Sequence, residues 1–233
     1  MRIAIEPDRK LARTAGFLYL TMIMGTGAAY ATILQMTAPD GVLLIEKLRA
    51  GMLALQLSIL GLAIGLVAFT LLGVWLYRLF RAVNENVALV LLVLVGVHAA
   101  VSLAAIAPLM DALTLVRGSV LVDQVAGQVV LRVMNFHDLW RVGLIFSGLW
   151  LIPLGWLVYR CGFLPRIVGM ALIVGSVFYV MTFAGWVIDQ NYDQSLIGRV
   201  IGIGSGFPAV VGEMAACISL LVAGFRRGSQ AIA

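Results

Sequence analysis

Few side chains in this chain are equipped for chemistry, and the ones that are stand out against an apolar background. Glu213 is a lone acid inside an apolar block, and His98 is a lone base inside another. A carboxylate near the centre of a bilayer costs several kcal/mol unless it is paired, solvated or protonated, so an intramembrane ionisable residue is read first as a functional one. At a rise of about 1.5 Å per residue, Glu213 lies roughly 20 Å from the outer end of its span and His98 roughly 16 Å from the inner end of its own. The two depths match, so a hydrogen bond between Glu213 and His98 is one expectation. Ser102 follows His98 by one helical turn and makes that face small and polar. His137, Asp138 and Arg141 form a third group at an outer helix end, where they either anchor the helix in the headgroups or let Arg141 reach inward to an anionic group.

Named chemistries can be weighed against this inventory. A bis-histidine haem needs two histidines at one depth, and the chain has two in all, His98 central and His137 peripheral. Catalytic zinc wants three protein ligands, and HExxH is absent. Ser102 and His98 share one helix, which is weak ground for a serine nucleophile with its base. No phosphate-binding glycine loop stands in a strand-to-helix context. Cys161 and Cys217, 56 positions apart, fit no CxxC or metal spacing and are read as free thiols. The expectation is therefore no cofactor, no metal and no convincing enzyme.

These residues must be positioned by membrane helices. Of the 233 residues 62% are hydrophobic and 12% charged, far from a soluble average of about 25% charged, and the apolar residues fall in long blocks. Blocks near the roughly 20 residues needed to cross about 30 Å of hydrocarbon occur at about 16–36, 52–77, 87–110, 139–159, 167–188 and 200–225. The first exceeds a signal-peptide core of 7 to 15 residues and reads as a retained signal anchor. The whole chain, 1–233, is thus read as an all-α bundle of six spans.

Charge gives the bundle a direction. The N-terminus, the loops after spans two and four, and the tail hold ten of the sixteen lysines and arginines and three acids, a balance of about +7; the other three loops come to about −1. Lysine and arginine stay on the cytoplasmic side, so both termini are expected inside. Trp75, Tyr77, Trp156 and Tyr159 then mark the inner interface, and Trp140, Trp186 and Tyr192 the outer. The net charge of +5 is topological in this reading, since no basic run interleaved with aromatics suggests nucleic acid. Two outer segments, Val42 to Arg49 behind a capping Asp40 and Leu115 to Val133, pattern as short amphipathic helices that either lie in the interface or form a packed lid.

Glycine supplies the packing faces, with Gly61 and Gly65 in span two and Gly198, Gly202 and Gly206 in span six. Glu213 follows Gly202 and Gly206 on the same helical stripe. Pro208 between them and Pro153 in span four each remove a helical donor, so a kink is expected at both.

Three stretches, RKLARTAGFLYL (Arg9 to Leu20), LWLIPLGWLVYRCGFLPRIVG (Leu149 to Gly169) and GFPAVVGEMAACISLLVAG (Gly206 to Gly224), together resemble a bacterial integral membrane family catalogued as domain of unknown function 4386. The resemblance implies six helices and supplies no activity. It carries over the Gly162, Pro165 and Arg166 turn and, in span six, Pro208, Gly212 and Glu213; Cys217 to Ser219 depart from its pattern. Two functions remain open. One is a multi-pass protein of the bacterial inner membrane whose polar pocket binds a small or lipid-like ligand with proton coupling. The other is a non-catalytic partner or scaffold, a homo-oligomer included, whose polar residues only fix helix packing and whose contacts are with membrane lipid, another protein or a second copy.

Overall fold

The computed structural model describes residues 8–118, 122–189, 191–204 and 210–225. Among them the regular structure is helical: α1 (Arg9–Met36), α2 (Gly41–Ala50), α3 (Met52–Phe80), α4 (Glu85–Ala104), α5 (Ile106–Gly118), α6 (Val122–Cys161), α7 (Arg166–Ile188), a 3-10 turn (Tyr192–Gln194), α8 (Leu196–Gly204) and α9 (Val210–Phe225). Among the described residues five stretches are long and apolar enough to cross a membrane: Arg9–Met36, Met52–Phe80, Glu85–Gly118, Val125–Cys161 and Arg166–Ile188.

Local chemistry sets the boundaries. Helix α1 begins at Arg9, ahead of the expected Gly16, because the Asp8 carboxylate accepts from the Lys10 and Leu11 amides at 2.9 and 3.2 Å and caps the exposed first turn. Asp40 caps α2 through the Leu43 amide at 2.8 Å, as its position suggests. The buried side of α2 is Leu44, Ile45 and Leu48, while Leu43 faces outward. Those three residues join one apolar core with Leu109, Val116 and Phe136, which is the behaviour of a packed lid.

In the middle of the chain the third expected span lies within the single stretch Glu85–Gly118, where regular helix breaks only at Ala105 between α4 and α5. Pro108 is the reason: it has no N–H to give, and its ring displaces the Ala104 carbonyl four residues back. The segment Leu115 to Val133 is not one amphipathic helix, since its start belongs to α5 and its end to α6. No proline lies between Val122 and Ile152, so α6 runs on for 40 residues, roughly 60 Å and about twice the hydrocarbon thickness. Pro153 lies inside that continuous helix.

Of the expected span at 200–225, the described residues belong to α8, as far as Gly204, and to α9, which is 16 residues long. Gly206 and Pro208, with the kink expected there, lie outside the described residues, so the stripe from Gly202 to Glu213 is not one described helix. Gly202 itself is exposed, and among the described residues no atom stands within 4 Å of a Cβ placed there. Gly61 and Gly65 do pack: Gly65 approaches the Gly25 backbone, and a Cβ on Gly25 would lie 2.8 Å from the Gly61 oxygen.

The outward surface of α3 is apolar at alternating steps of four and three residues: Leu53, Leu57, Leu60, Ile64, Val67 and Leu71 are all exposed. The opposite side, with Leu55, Leu62, Phe69 and Leu76, is buried. A helix apolar on both sides does not face water.

The chain forms two compact units. The first comprises the described residues of Met1–Leu20, Leu71–Val95 and Ile145–Ala233, and the second Thr21–Thr70 and Gly96–Leu144. Glu213 belongs to the first and His98 to the second, so each is described with its own neighbours.

Candidate ligand-binding site

In the first unit Glu213, on the first turn of α9, lies between two tyrosines. The Tyr19 hydroxyl of α1 donates to Oε2 at 3.5 Å and the Tyr179 hydroxyl of α7 donates to Oε1 at 3.4 Å. Both separations exceed the 2.7–2.8 Å usual for O–H···O, so the carboxyl group is held loosely from two sides. Among the described residues no lysine, arginine or histidine forms an ion pair with it. Tyr19 is fully buried, whereas Glu213 and Tyr179 keep some accessible surface.

Glycines bring the four contributing helices together. A Cβ on Gly16, one turn before Tyr19, would lie 2.7 Å from Leu221 of α9, and one on Gly212 would touch the Ala171 and Leu172 backbone of α7 at 3.3 Å. On α6, a Cβ on Gly148 would lie 2.7 Å from the Ser176 oxygen and 3.4 Å from Cβ of Tyr179. Trp150, two residues on, sets its ring 6.0 Å from that of Tyr19 at 58°. One turn beyond Glu213, the buried Cys217 thiol donates to the Gly16 carbonyl at 3.5 Å. Pro153 is buried on α6 just past Trp150 and leaves the Leu149 carbonyl without its helical donor.

The connection between α6 and α7 also lies in this unit. Gly162, with φ of 80°, makes the turn, a conformation that suits a residue without Cβ. The Arg160 guanidinium lies 5.4 Å from the Trp156 ring and that of Arg166 5.2 Å from Tyr159. The second cysteine, Cys161, is buried here and donates to the Val158 carbonyl at 3.2 Å.

The second unit gathers His98 and Ser102 of α4 beside Gly143 of α6. A Cβ on Gly143 would lie 3.3 Å from the Ser102 hydroxyl and 3.8 Å from the imidazole. Phe69 of α3 meets the His98 ring edge-to-face at 5.1 Å. Ser102 is buried.

The third expected group is sorted differently from its reading as an exposed cluster. Asp138 is exposed and Arg141 half-buried, and the two pair at 3.4 Å. His137 instead turns inward, with Nε2 3.2 Å from the Thr37 hydroxyl of α1. Since that hydroxyl donates to the Ile33 carbonyl at 3.0 Å, Nε2 carries the proton that joins ring to hydroxyl. Tyr30 stacks on Trp140 at 5.0 Å and completes an aromatic wall with Phe136. Tyr19, Tyr179, Thr37 and Gly143 are the residues the sequence does not single out. Thr37 and Gly143 carry no signal of their own, but tyrosines inside apolar blocks are a polar signal comparable to Ser102.

The fold and this arrangement of polar groups define a multi-pass helical membrane protein. Residues 14–224 match the family described as a domain of unknown function (DUF4386), and the chain belongs to that family. An uncharacterized protein of Archaeoglobus fulgidus is similar, 24% identical over 136 residues that cover 57% of this chain and 71% of the relative. No solved structure matches.

Proposed function

We propose that this is a six-span protein of the bacterial inner membrane, with both termini inside, that binds a small or lipid-like ligand at Glu213 and exchanges it against a proton. The observation that carries the reading is the placement of Glu213 between the Tyr19 and Tyr179 hydroxyls with no basic partner among the described residues. A carboxyl group so placed must hold a proton or find a positive or donor group elsewhere, because an isolated charge in an apolar surrounding is costly. Helices α8 and α9 together supply the sixth crossing, and the excess of arginine and lysine on the side of the termini supports the direction. On that side the aromatic-backed Arg160 and Arg166 meet anionic headgroups, where each basic side chain gains about 1 kcal/mol.

The test is native mass spectrometry on the purified full chain. A small molecule retained by the wild type and lost from Glu213→Gln, with unchanged folding, is the expected result. An identical set of retained molecules in both proteins would refute binding at Glu213.

A second reading, a scaffold whose polar groups only set helix register, is favoured by the same two hydroxyls, since they tie α9 to α1 and α7. It expects no retained ligand and a large stability loss for Glu213→Ala, because two donors would then lose their acceptor at about 1–3 kcal/mol each.

A further inference from the structure

We infer that the ligand taken at Glu213 is a lipophilic organic cation, such as a quaternary ammonium or phosphonium compound or a protonated amine with apolar substituents. The inference rests on Glu213 being the ligand-binding residue and adds the chemical class.

Charge narrows the choice first. Among the described residues the titratable groups that face Glu213 are Tyr19 from α1 and Tyr179 from α7, while Cys217, one turn along α9, meets the Gly16 carbonyl. On α6, Trp150 packs on Tyr19 and does not titrate. A phenol or a thiol is neutral or negative and never positive. With no base at Glu213 among the described residues, the charge that balances its ionised form is assigned to a proton or to a cationic ligand, and these two exclude each other at one carboxyl group.

Hydrogen-bonding capacity agrees. An ionised carboxylate offers about four lone-pair positions, and the two hydroxyls at 3.4 and 3.5 Å occupy two of them weakly. The remaining capacity accepts from an N–H donor or faces an onium charge.

The surroundings select the rest of the ligand. Two electron-rich rings, Tyr19 and Tyr179, flank the carboxylate, and a third, Trp150, lies behind Tyr19 at 6.0 Å. Aromatic faces attract a cation within about 6 Å of the ring centre, most strongly where water is excluded. Gly16, Gly148 and Gly212, where these helices pack closely, add no polar side chain that would suit a sugar or a carboxylic acid. Among the described residues no base stands at the carboxylate to hold an anionic ligand.

The experiment uses the full-length protein in detergent and two probes of the same shape and opposite charge, tetraphenylphosphonium and tetraphenylborate. Calorimetry in two buffers of different ionisation heat gives affinity and protons released together. The wild type should bind the phosphonium, release up to about one proton per cation at a pH where ligand-free Glu213 holds it, and discriminate against the borate by at least about ten-fold, as opposed charge pairing implies. Glu213→Gln should weaken phosphonium binding at least about ten-fold and abolish the proton release, while Glu213→Asp, which keeps the charge, should retain the preference for the cation. If Glu213→Gln fails to fold, the proton count and the charge preference of the wild type still decide. Equal binding of both probes by the wild type, independent of Glu213, would overturn the inference. Binding of the borate or of a neutral amphiphile that depends on Glu213, without the cation, would overturn the chemical class and leave Glu213 as a ligand site. No binding of any probe that depends on Glu213, combined with no ligand retained on purification, would remove both.

Discussion

Around Glu213 the donors are two tyrosine hydroxyls brought by α1 and α7 from 194 and 34 residues away. Around His98 the neighbours are a serine one turn along the same helix, a glycine of α6 and the ring of Phe69. Both places are polar islands in apolar helices, yet they pose different problems. A neutral imidazole has one donor and one acceptor, so a hydroxyl or a carbonyl can satisfy it without any change of charge. A carboxyl group is neutral only while it holds a proton, and once ionised it needs a positive partner that its neighbours do not provide. The proposed exchange therefore falls to the Glu213 surroundings, while Phe69, His98 and Gly143 bring α3, α4 and α6 together.

The two islands should differ most at their glycines. Gly148→Val would place its Cβ 2.7 Å from a backbone oxygen and 2.8 Å from Val180, so α6 and α7 must separate and carry Tyr179 with them. A loss of about 3 kcal/mol or more is expected from such overpacking. Gly143→Ala meets the Ser102 hydroxyl at 3.3 Å and the imidazole at 3.8 Å, side chains that can give, and should cost less than about 1 kcal/mol. Thermal unfolding in detergent measures both; equal losses would mean that the two islands are built with the same tolerance.

A smaller effect separates the islands through single hydroxyls. Tyr19→Phe and Tyr179→Phe should each cost about 0.6 kcal/mol, the average for interhelical hydrogen bonds in membranes, and neither should cost anything further once Glu213→Ala has removed the acceptor. Thr37→Val, which removes the partner of His137, should cost a similar amount and leave ligand retention unchanged. Additive losses for a tyrosine and Glu213 would show that the 3.4 and 3.5 Å contacts carry no coupling.

Much of the helical layout is legible in the sequence, because uncharged blocks and lipid-facing leucines follow from bilayer thickness alone. Glu213 is legible too, as the one acid that breaks such a block. Its partners are not: helix-to-helix register depends on which glycines meet, and Gly16, Gly148 and Gly212 act through contacts with residues far along the chain. The break at Ala105 has a local signal in Pro108, and the run of α6 through Leu139 has one in the lack of any proline before Pro153. Reading Leu115 to Val133 as one amphipathic unit overlooks that a helix ends where backbone chemistry stops it, and a change of polarity alone leaves the backbone free to continue. Grouping His137 with Asp138 as one exposed cluster overlooks that successive helical residues differ by about 100° in direction, so that Asp138 points to solvent while His137 faces Thr37.

The most direct measurement is ligand retention by the full chain, compared in parallel for the wild type, Glu213→Gln and His98→Gln at matched folding. The expected result is loss from Glu213→Gln with retention by His98→Gln. Loss from His98→Gln with retention by Glu213→Gln would contradict the assignment of binding to the carboxyl group between Tyr19 and Tyr179.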